Sequence, residues 1–335
     1  MGSMDSMLDL VLGLPEQIVE AVVISERVNF GRPRSFDKLV VAGMGGSGIS
    51  GDMVRCLFWG DNTMTVLSCR DYNIPAAVTS RTLFVAISYS GNTEETLTAF
   101  HQARRRNCRI LAITSGGKLG RAAKRAGVPV ITVPDGLPPR AAFGYLFVSL
   151  LKSLGKLGVC HSYEHDLAEA VGLMAECRSK WLRKARTVAG ALLDQLPVVY
   201  STSRLLDAVA ERWRCQLNEN AKVMCHTNVF PEHNHNEVVG MGSPDFLAKN
   251  TIVVGLIDRS TYGRTMLRLG YALDITRNGY AKFLKLKTEG KSSLARMFSL
   301  VMLGDLVSVE LARLRGVDPM PVARIDELKR RMAKG

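Results

Sequence analysis

Several common functional signatures are missing from this 335-residue chain. Its seven cysteines, at positions 56, 69, 108, 160, 177, 215 and 225, contain no C-x-x-C pair. The odd number argues against a disulfide framework or a cysteine-rich zinc site and fits reduced thiols in a cytosol. Several lie in apolar surroundings and read as small core residues. The most apolar segment, 141–159, is interrupted by Lys152 and Lys156, too often for a membrane span. No basic run is interleaved with aromatics, so neither a nucleic-acid surface nor a membrane contact is expected. No signal-peptide pattern is visible, and the expected compartment is the cytoplasm. No short solenoid-like repeat or low-complexity tract is present.

What is present describes a globular protein. Apolar residues make up 47% and charged residues 22%. At roughly 150 residues per domain, the length suggests about two domains. Lys plus Arg total 44 against 31 Asp plus Glu, a formal charge of +13. A basic balance favours anionic partners, and its spread along the chain favours focusing a small anion. The densest run, Arg104-Arg105-Arg106, closes an amphipathic stretch and reads as a solvated helix end.

Continuous Val/Ile/Leu runs alternate with helical stretches, the mark of a parallel sheet covered on both faces. Strands are expected at 39–43, 64–67, 83–87, 109–113 and 128–133, with helices at 50–59, 93–105 and 121–126. Pro138-Pro139 breaks the chain, and a mostly helical stretch runs from 141 to about 193. Further strands are expected at 197–200, 251–257 and 283–286, with helices at 205–221 and 294–315. Gly316 and Pro319 stop the last of these. The resulting division is an N-terminal helical segment (1–37), a first α/β domain (38–160), a helical connector (161–193) and a second α/β domain with C-terminal helices (194–335).

Two loops in the first domain follow strand ends, where parallel α/β sheets bind ligands. The first is Gly43-Met44-Gly45-Gly46-Ser47-Gly48. The second is Ser88-Tyr89-Ser90-Gly91-Asn92-Thr93. Helices begin after both, so free N–H groups and positive dipole ends favour an anion. Ser88, Ser90 and Thr93 offer hydroxyl donors to a phosphate, and Gly91 allows close backbone approach. If the backbone were extended there, Ser88 and Ser90 would point the same way. A hydroxyl-rich turn can also simply cap a helix. The first loop matches G-x-G-x-x-G, and Asp71 lies 23 residues beyond Gly48, so an NAD(P)-dependent oxidoreductase is an alternative. It leaves the second loop without a task. No Walker lysine follows either loop, which argues against ATP or GTP hydrolysis.

The S-x-S-G-x-T loop resembles the signature of the sugar isomerase (SIS) domain. That resemblance implies flavodoxin-like parallel-sheet domains and a bound sugar phosphate. The second domain adds Asn218-Glu219-Asn220-Ala221-Lys222 and Pro231-Glu232-His233-Asn234-His235-Asn236-Glu237. Aldose–ketose exchange needs a base, a ring-opening acid and a cation to hold an enediolate; a carboxylate, a histidine and an arginine suit those tasks. With Pro138-Pro139-Arg140 between them, these motifs in this order resemble the bifunctional phosphoglucose/phosphomannose isomerases over about residues 38–330.

That resemblance implies reversible isomerisation of glucose 6-phosphate, and of mannose 6-phosphate, to fructose 6-phosphate without metal or cofactor. Glu219 resembles the general base, His235 the ring-opening acid and Arg140 the enediolate cation. Gly46, Ser47, Ser88, Ser90 and Thr93 resemble the phosphate and substrate contacts. The family implies a homodimer in which His235 comes from the neighbouring subunit. It also commonly places a threonine where this chain has Met320, and a C-terminal lysine for which Lys329 and Lys334 are candidates. His233 and His235, with Cys225 and His226 nearby, could bind zinc, but zinc-dependent phosphomannose isomerases use an all-β fold. A non-catalytic sugar-phosphate sensor is a further alternative; the roughly 35 residues before the first strand are few for an added DNA-reading domain.

Overall fold

The computed structural model describes residues 3–32 and 35–332. Helices α1 (Ser3–Leu12) and α2 (Leu14–Glu26) lead into the first α/β unit. That unit comprises β1 (Lys38–Ala42), α3 (Gly45–Phe58), β2 (Thr65–Cys69), β3 (Thr82–Ile87), α4 (Glu94–Arg105), β4 (Arg109–Thr114), α5 (Gly117–Arg125) and β5 (Val130–Thr132). Helices α6 (Phe143–Lys156) and α7 (Glu164–Leu192) connect it to the second unit. There follow β6 (Leu196–Ser201), α8 (Asp207–Glu219), β7 (His226–Val229), α9 (Glu237–Gly240), α10 (Phe246–Asn250), β8 (Thr251–Ile257), α11 (Gly263–Ile275), β9 (Lys282–Lys287), α12 (Ser293–Leu314) and α13 (Ala323–Met332).

Both sheets are parallel. The first runs β2-β1-β3-β4-β5 and the second β7-β6-β8-β9. The first order is the flavodoxin one, whose switch point falls between β1 and β3. β3 and β8 are buried along their whole length, because helices cover both faces. One large core lies between the sheets, filled by α2, α6, α7, α8 and α12, and smaller clusters pack under the outer faces. α12 is buried from Leu294 to Ala312, consistent with its apolar residues on all sides. Among the described residues no helix is long and apolar enough to cross a membrane.

Some boundaries differ from the sequence expectation. α3 begins at Gly45 rather than at residue 50, so the glycine-rich run forms the first helical turn instead of preceding it. β7, α11 and the short α9 and α10 had no assigned pattern. β7 reads His-Thr-Asn-Val and lies on a sheet edge, where no continuous apolar run is required.

The position of α8 depends on Gly304 of α12. The Trp213 indole donates to the Leu300 carbonyl at 2.8 Å, and a Cβ on Gly304 would lie 2.2 Å from its Nε1. Trp213 is fully buried and has nowhere to move. Gly304→Ala should therefore lower unfolding stability by about 1–3 kcal/mol through overpacking, read by urea denaturation. Unchanged stability would mean the indole can shift freely.

Candidate active site

The two glycine-rich loops meet at the carboxyl ends of β1 and β3. Ser47 Oγ accepts the Tyr89 N–H at 3.2 Å, which joins one loop to the other. Gly46 and Ser47 sit in the first turn of α3, where amides lack preceding helical carbonyls; the Ser47 N–H donates instead to the Met44 carbonyl at 3.0 Å. Gly46 has no room for a side chain: a Cβ would lie 2.9 Å from the Pro139 carbonyl oxygen and 3.2 Å from the Arg140 Cα. The anion end of α3 is thus packed backbone to backbone on the turn that carries Arg140.

In the second loop the Gly91 N–H donates to the Ser88 carbonyl at 3.0 Å, so residues 88–91 form a turn. The extended alternation of Ser88 and Ser90 does not arise. Ser88 is buried, with its hydroxyl 2.9 Å from Thr93 Oγ1. Ser90 is exposed and accepts the Asn92 N–H. Gly91 has φ +67°, and a Cβ there would lie 2.0 Å from the Gly116 carbonyl oxygen. Thr93 is the N-cap of α4 but bonds sideways to Ser88.

Arg140 lies in a 3-10 turn, Pro139–Ala141, between the first unit and the core helices. Its side chain is 4% exposed. Nε donates to Asn220 Oδ1 at 2.6 Å, and Nη2 donates to the carbonyls of Pro319 at 2.5 Å and Met320 at 3.0 Å. Nη1 faces the Glu219 carboxylate, 3.6 Å from Oε2. Burial presses the Arg140 pKa below its ordinary value, and the Glu219 charge opposes that shift. Behind the turn, Arg212 donates to the Arg140 carbonyl at 3.1 Å and holds Asp305 with two bonds, at 3.0 and 2.6 Å.

Glu219 ends α8 and is partly exposed, 26% by side chain. A helix carboxyl end repels negative charge, and two cations stand beside it. One is Arg140. The other is Lys222, whose Nζ donates to the Glu219 carbonyl and, at 2.7 Å, to the Pro321 carbonyl. Carbonyls 319, 320 and 321 therefore all face these cations. Proline has no N–H, so a Pro-Met-Pro segment is rich in acceptors and poor in donors. Sequence reading quoted Asn220 and Lys222 without giving them a role; their signal was adjacency to Glu219 at a helix end. Met320 packs its side chain on the main core and directs its carbonyl to Arg140.

His235 ends a 3-10 turn, Glu232–His235, and is exposed. Among the described residues it has no hydrogen bond or ion pair with Glu219 or Arg140. His233 turns inward, 4.6 Å from the Phe230 ring and 4.8 Å from Tyr200, centroid to centroid. Its nitrogens have no hydrogen-bond partner among the described residues, and burial lowers its pKa. His226 pairs with Glu237 at 3.0 Å instead of joining them. One histidine inward and one outward is poor geometry for a chelate, and no cluster of three metal-binding side chains occurs among the described residues. Lys329 is exposed on α13, and Lys334 lies outside the described residues.

At the matching switch point of the second sheet, after β8, the anion position is filled from within. The buried Asp258 carboxylate accepts from the Ser260 N–H at 3.1 Å, Thr288 Oγ1 at 2.9 Å and Arg296 Nε at 2.9 Å. Among the described residues no carboxylate is hydrogen-bonded between the loops of the first sheet, which leaves it as the candidate phosphate site.

Glu237 anchors the histidine-bearing segment. It accepts from Tyr200 OH at 2.5 Å, from the Asn228 amide and from His226. Although burial raises its pKa, these partners outweigh it and hold the carboxyl at about 2, below the ordinary 4.5. The Glu237 pair raises the His226 pKa above 6.5. A depressed carboxyl contributes stability above about pH 4.5 and loses it as pH falls toward about 2. The raised histidine contributes below 6.5 and loses it as pH rises through its folded value. Urea unfolding should show Glu237→Gln less stable than wild type at pH 6, with the gap narrowing by pH 3. A constant gap would contradict the pairing.

Comparison with known proteins bears on the family and the fold. The SIS domain model matches residues 34–134, and the model of the bacterial phospho-glucose isomerase C-terminal SIS domain matches residues 182–332. The bifunctional phosphoglucose/phosphomannose isomerase of Caldicellulosiruptor bescii is 39% identical, over 98% of this chain and 99% of its own. The enzyme of the same name from Thermoplasma volcanium is 36% identical, over 94% and 98%. The C-terminal domain of glucosamine-fructose-6-phosphate aminotransferase from Francisella tularensis shares the fold, with TM-score 0.77 at 15% identity over 94% of this chain and 98% of its own. With one core spanning both sheets and relatives matched almost end to end, the chain belongs to the bifunctional phosphoglucose/phosphomannose isomerase family.

Proposed function

We propose that this chain interconverts glucose 6-phosphate or mannose 6-phosphate with fructose 6-phosphate by proton transfer, without metal or cofactor. The observation that carries this reading is Arg140, whose guanidinium stands 3.6 Å from Glu219 while its backbone packs against Gly46. It supplies a base, a cation and an anion anchor in one place.

The phosphate binds the amide of Gly46 and the hydroxyls of Ser47, Ser88, Ser90 and Thr93. His235 of the partner subunit protonates the ring oxygen as the C1–O5 bond opens. Glu219 removes the C2 proton, and the electrons move toward the C1 oxygen to form a cis-enediolate. Arg140 Nη1 stabilises that oxygen charge in a low-dielectric setting. A proton passes from the C2 hydroxyl to the C1 oxygen, Glu219 returns a proton to C1 as the C2 carbonyl forms, and the net reaction consumes no oxidant. The exposure of His235 and its lack of a bond to Glu219 support a homodimer in which the acid crosses to the neighbouring site. The enzyme works in the cytoplasm and takes neither nucleic acid nor membrane as partner. Met320 packs half-buried on the core, which supports access for the mannose epimer.

EDTA-treated protein should form fructose 6-phosphate from both aldose 6-phosphates. Glu219→Gln should lower kcat about 10²- to 10⁴-fold while retaining phosphate affinity. Turnover of glucose 6-phosphate alone would identify Met320 as an obstacle to the epimer. Wild-type inactivity, or full activity in Glu219→Gln, would overturn the reading.

A further inference from the structure

Asn220 follows the proposed base and is fully buried. It does not compete with Arg140 for Glu219; it binds the opposite side of the guanidinium, accepting from Nε at 2.6 Å. Its own amide orientation is set by donation to Ser308 Oγ at 2.9 Å, and Ser308 in turn donates to the Asp305 carbonyl at 2.7 Å. Asp305 also holds Arg212, which grips the Arg140 carbonyl. Two routes therefore run from one turn of α12 to Arg140, one to its backbone and one to its side chain.

A guanidinium has five N–H donors in a fixed plane. Three of those in Arg140 are committed to Asn220 and to carbonyls 319 and 320. The two on Nη1 remain for the space beside Glu219. Rotation of the plane would exchange the committed and free edges. The Pro319 and Met320 carbonyls both engage Nη2, so Asn220 supplies the separate contact at Nε that resists such rotation.

We propose that Asn220 is a positioning residue for isomerisation, locking the Arg140 plane so that Nη1 meets the enediolate oxygens. This rests on the assignment of Arg140 as the enediolate cation. Asn220 itself touches no substrate atom.

The test compares wild type, Asn220→Ala, Asn220→Asp and Ser308→Ala. Asn220→Ala should lower kcat about 10- to 100-fold, the scale of a misplaced stabilising donor, with KM within about twofold. Affinity for a five-carbon aldonic acid 5-phosphate, whose carboxylate mimics the enediolate oxygens, should fall by the same factor as kcat/KM. Affinity for inorganic phosphate should stay unchanged, because its anchor lies on α3 and α4. Asn220→Asp keeps the acceptor and should recover most of the loss. Ser308→Ala removes one hydroxyl and should show a smaller loss of the same form; it carries the test if Asn220→Ala does not fold. Wild-type kcat in the folded variants, an equal loss of phosphate and aldonate affinity, or an Asp variant no better than Ala would overturn the proposal. If wild type itself lacks isomerase activity, the functional reading fails instead, while the aldonate and phosphate affinities still report on positioning.

Discussion

The site depends on a buried cation that cannot be left without partners. Placing the Arg140 guanidinium at 4% exposure removes most of its hydration, and such a charge is stable only where acceptors surround it. Asn220 and the carbonyls of Pro319 and Met320 provide them on two sides, and Glu219 faces the third. These groups come from α8 and from the segment after α12, while the Gly46 turn that touches the Arg140 backbone comes from the first unit. Satisfying one charge therefore brings together both halves of the chain, the proposed phosphate loop and the proposed base.

The same requirement explains the difference between the sheets. Both end their central strands in loops that could take an anion. The second sheet supplies its own in Asp258, held by Arg296 and hydroxyl donors, which also push its carboxyl below the ordinary range against the effect of burial. In the proposed mechanism that unit contributes Glu219 and the histidine segment instead. In the first unit Ser90 is exposed and Thr93 half-buried, and in the proposed mechanism the phosphate of a substrate takes the place that Asp258 fills elsewhere.

The central strands were legible because burial on both faces demands continuous apolar runs: Leu39 to Ala42, Leu83 to Ile87 and Thr251 to Ile257 could hardly be read otherwise. The hydroxyl-rich Ser88–Thr93 loop pointed to a phosphate contact by its residue types, whereas Glu219, His235 and Arg140 were assigned roles only through the family resemblance. The start of α3 was misplaced because glycines 45, 46 and 48 carry low helix propensity, yet close contacts with Arg140 and Gly43 favour residues without side chains at 46 and 48. β7 escaped notice because an edge strand of His, Thr, Asn and Val carries no buried periodicity. The role of Pro319–Pro321 was hidden for another reason. It acts through backbone carbonyls, and side-chain patterns do not encode where a carbonyl 180 residues away will point.

The most direct measurement is isomerisation of glucose 6-phosphate in D2O, followed by NMR of the fructose 6-phosphate formed. A carboxylate that carries the proton between C2 and C1 can exchange it with solvent, so the account predicts deuterium at C1 of the product. Product made at full rate with no deuterium at C1 would point to direct transfer of hydrogen between the carbons and contradict the role given to Glu219 and Arg140.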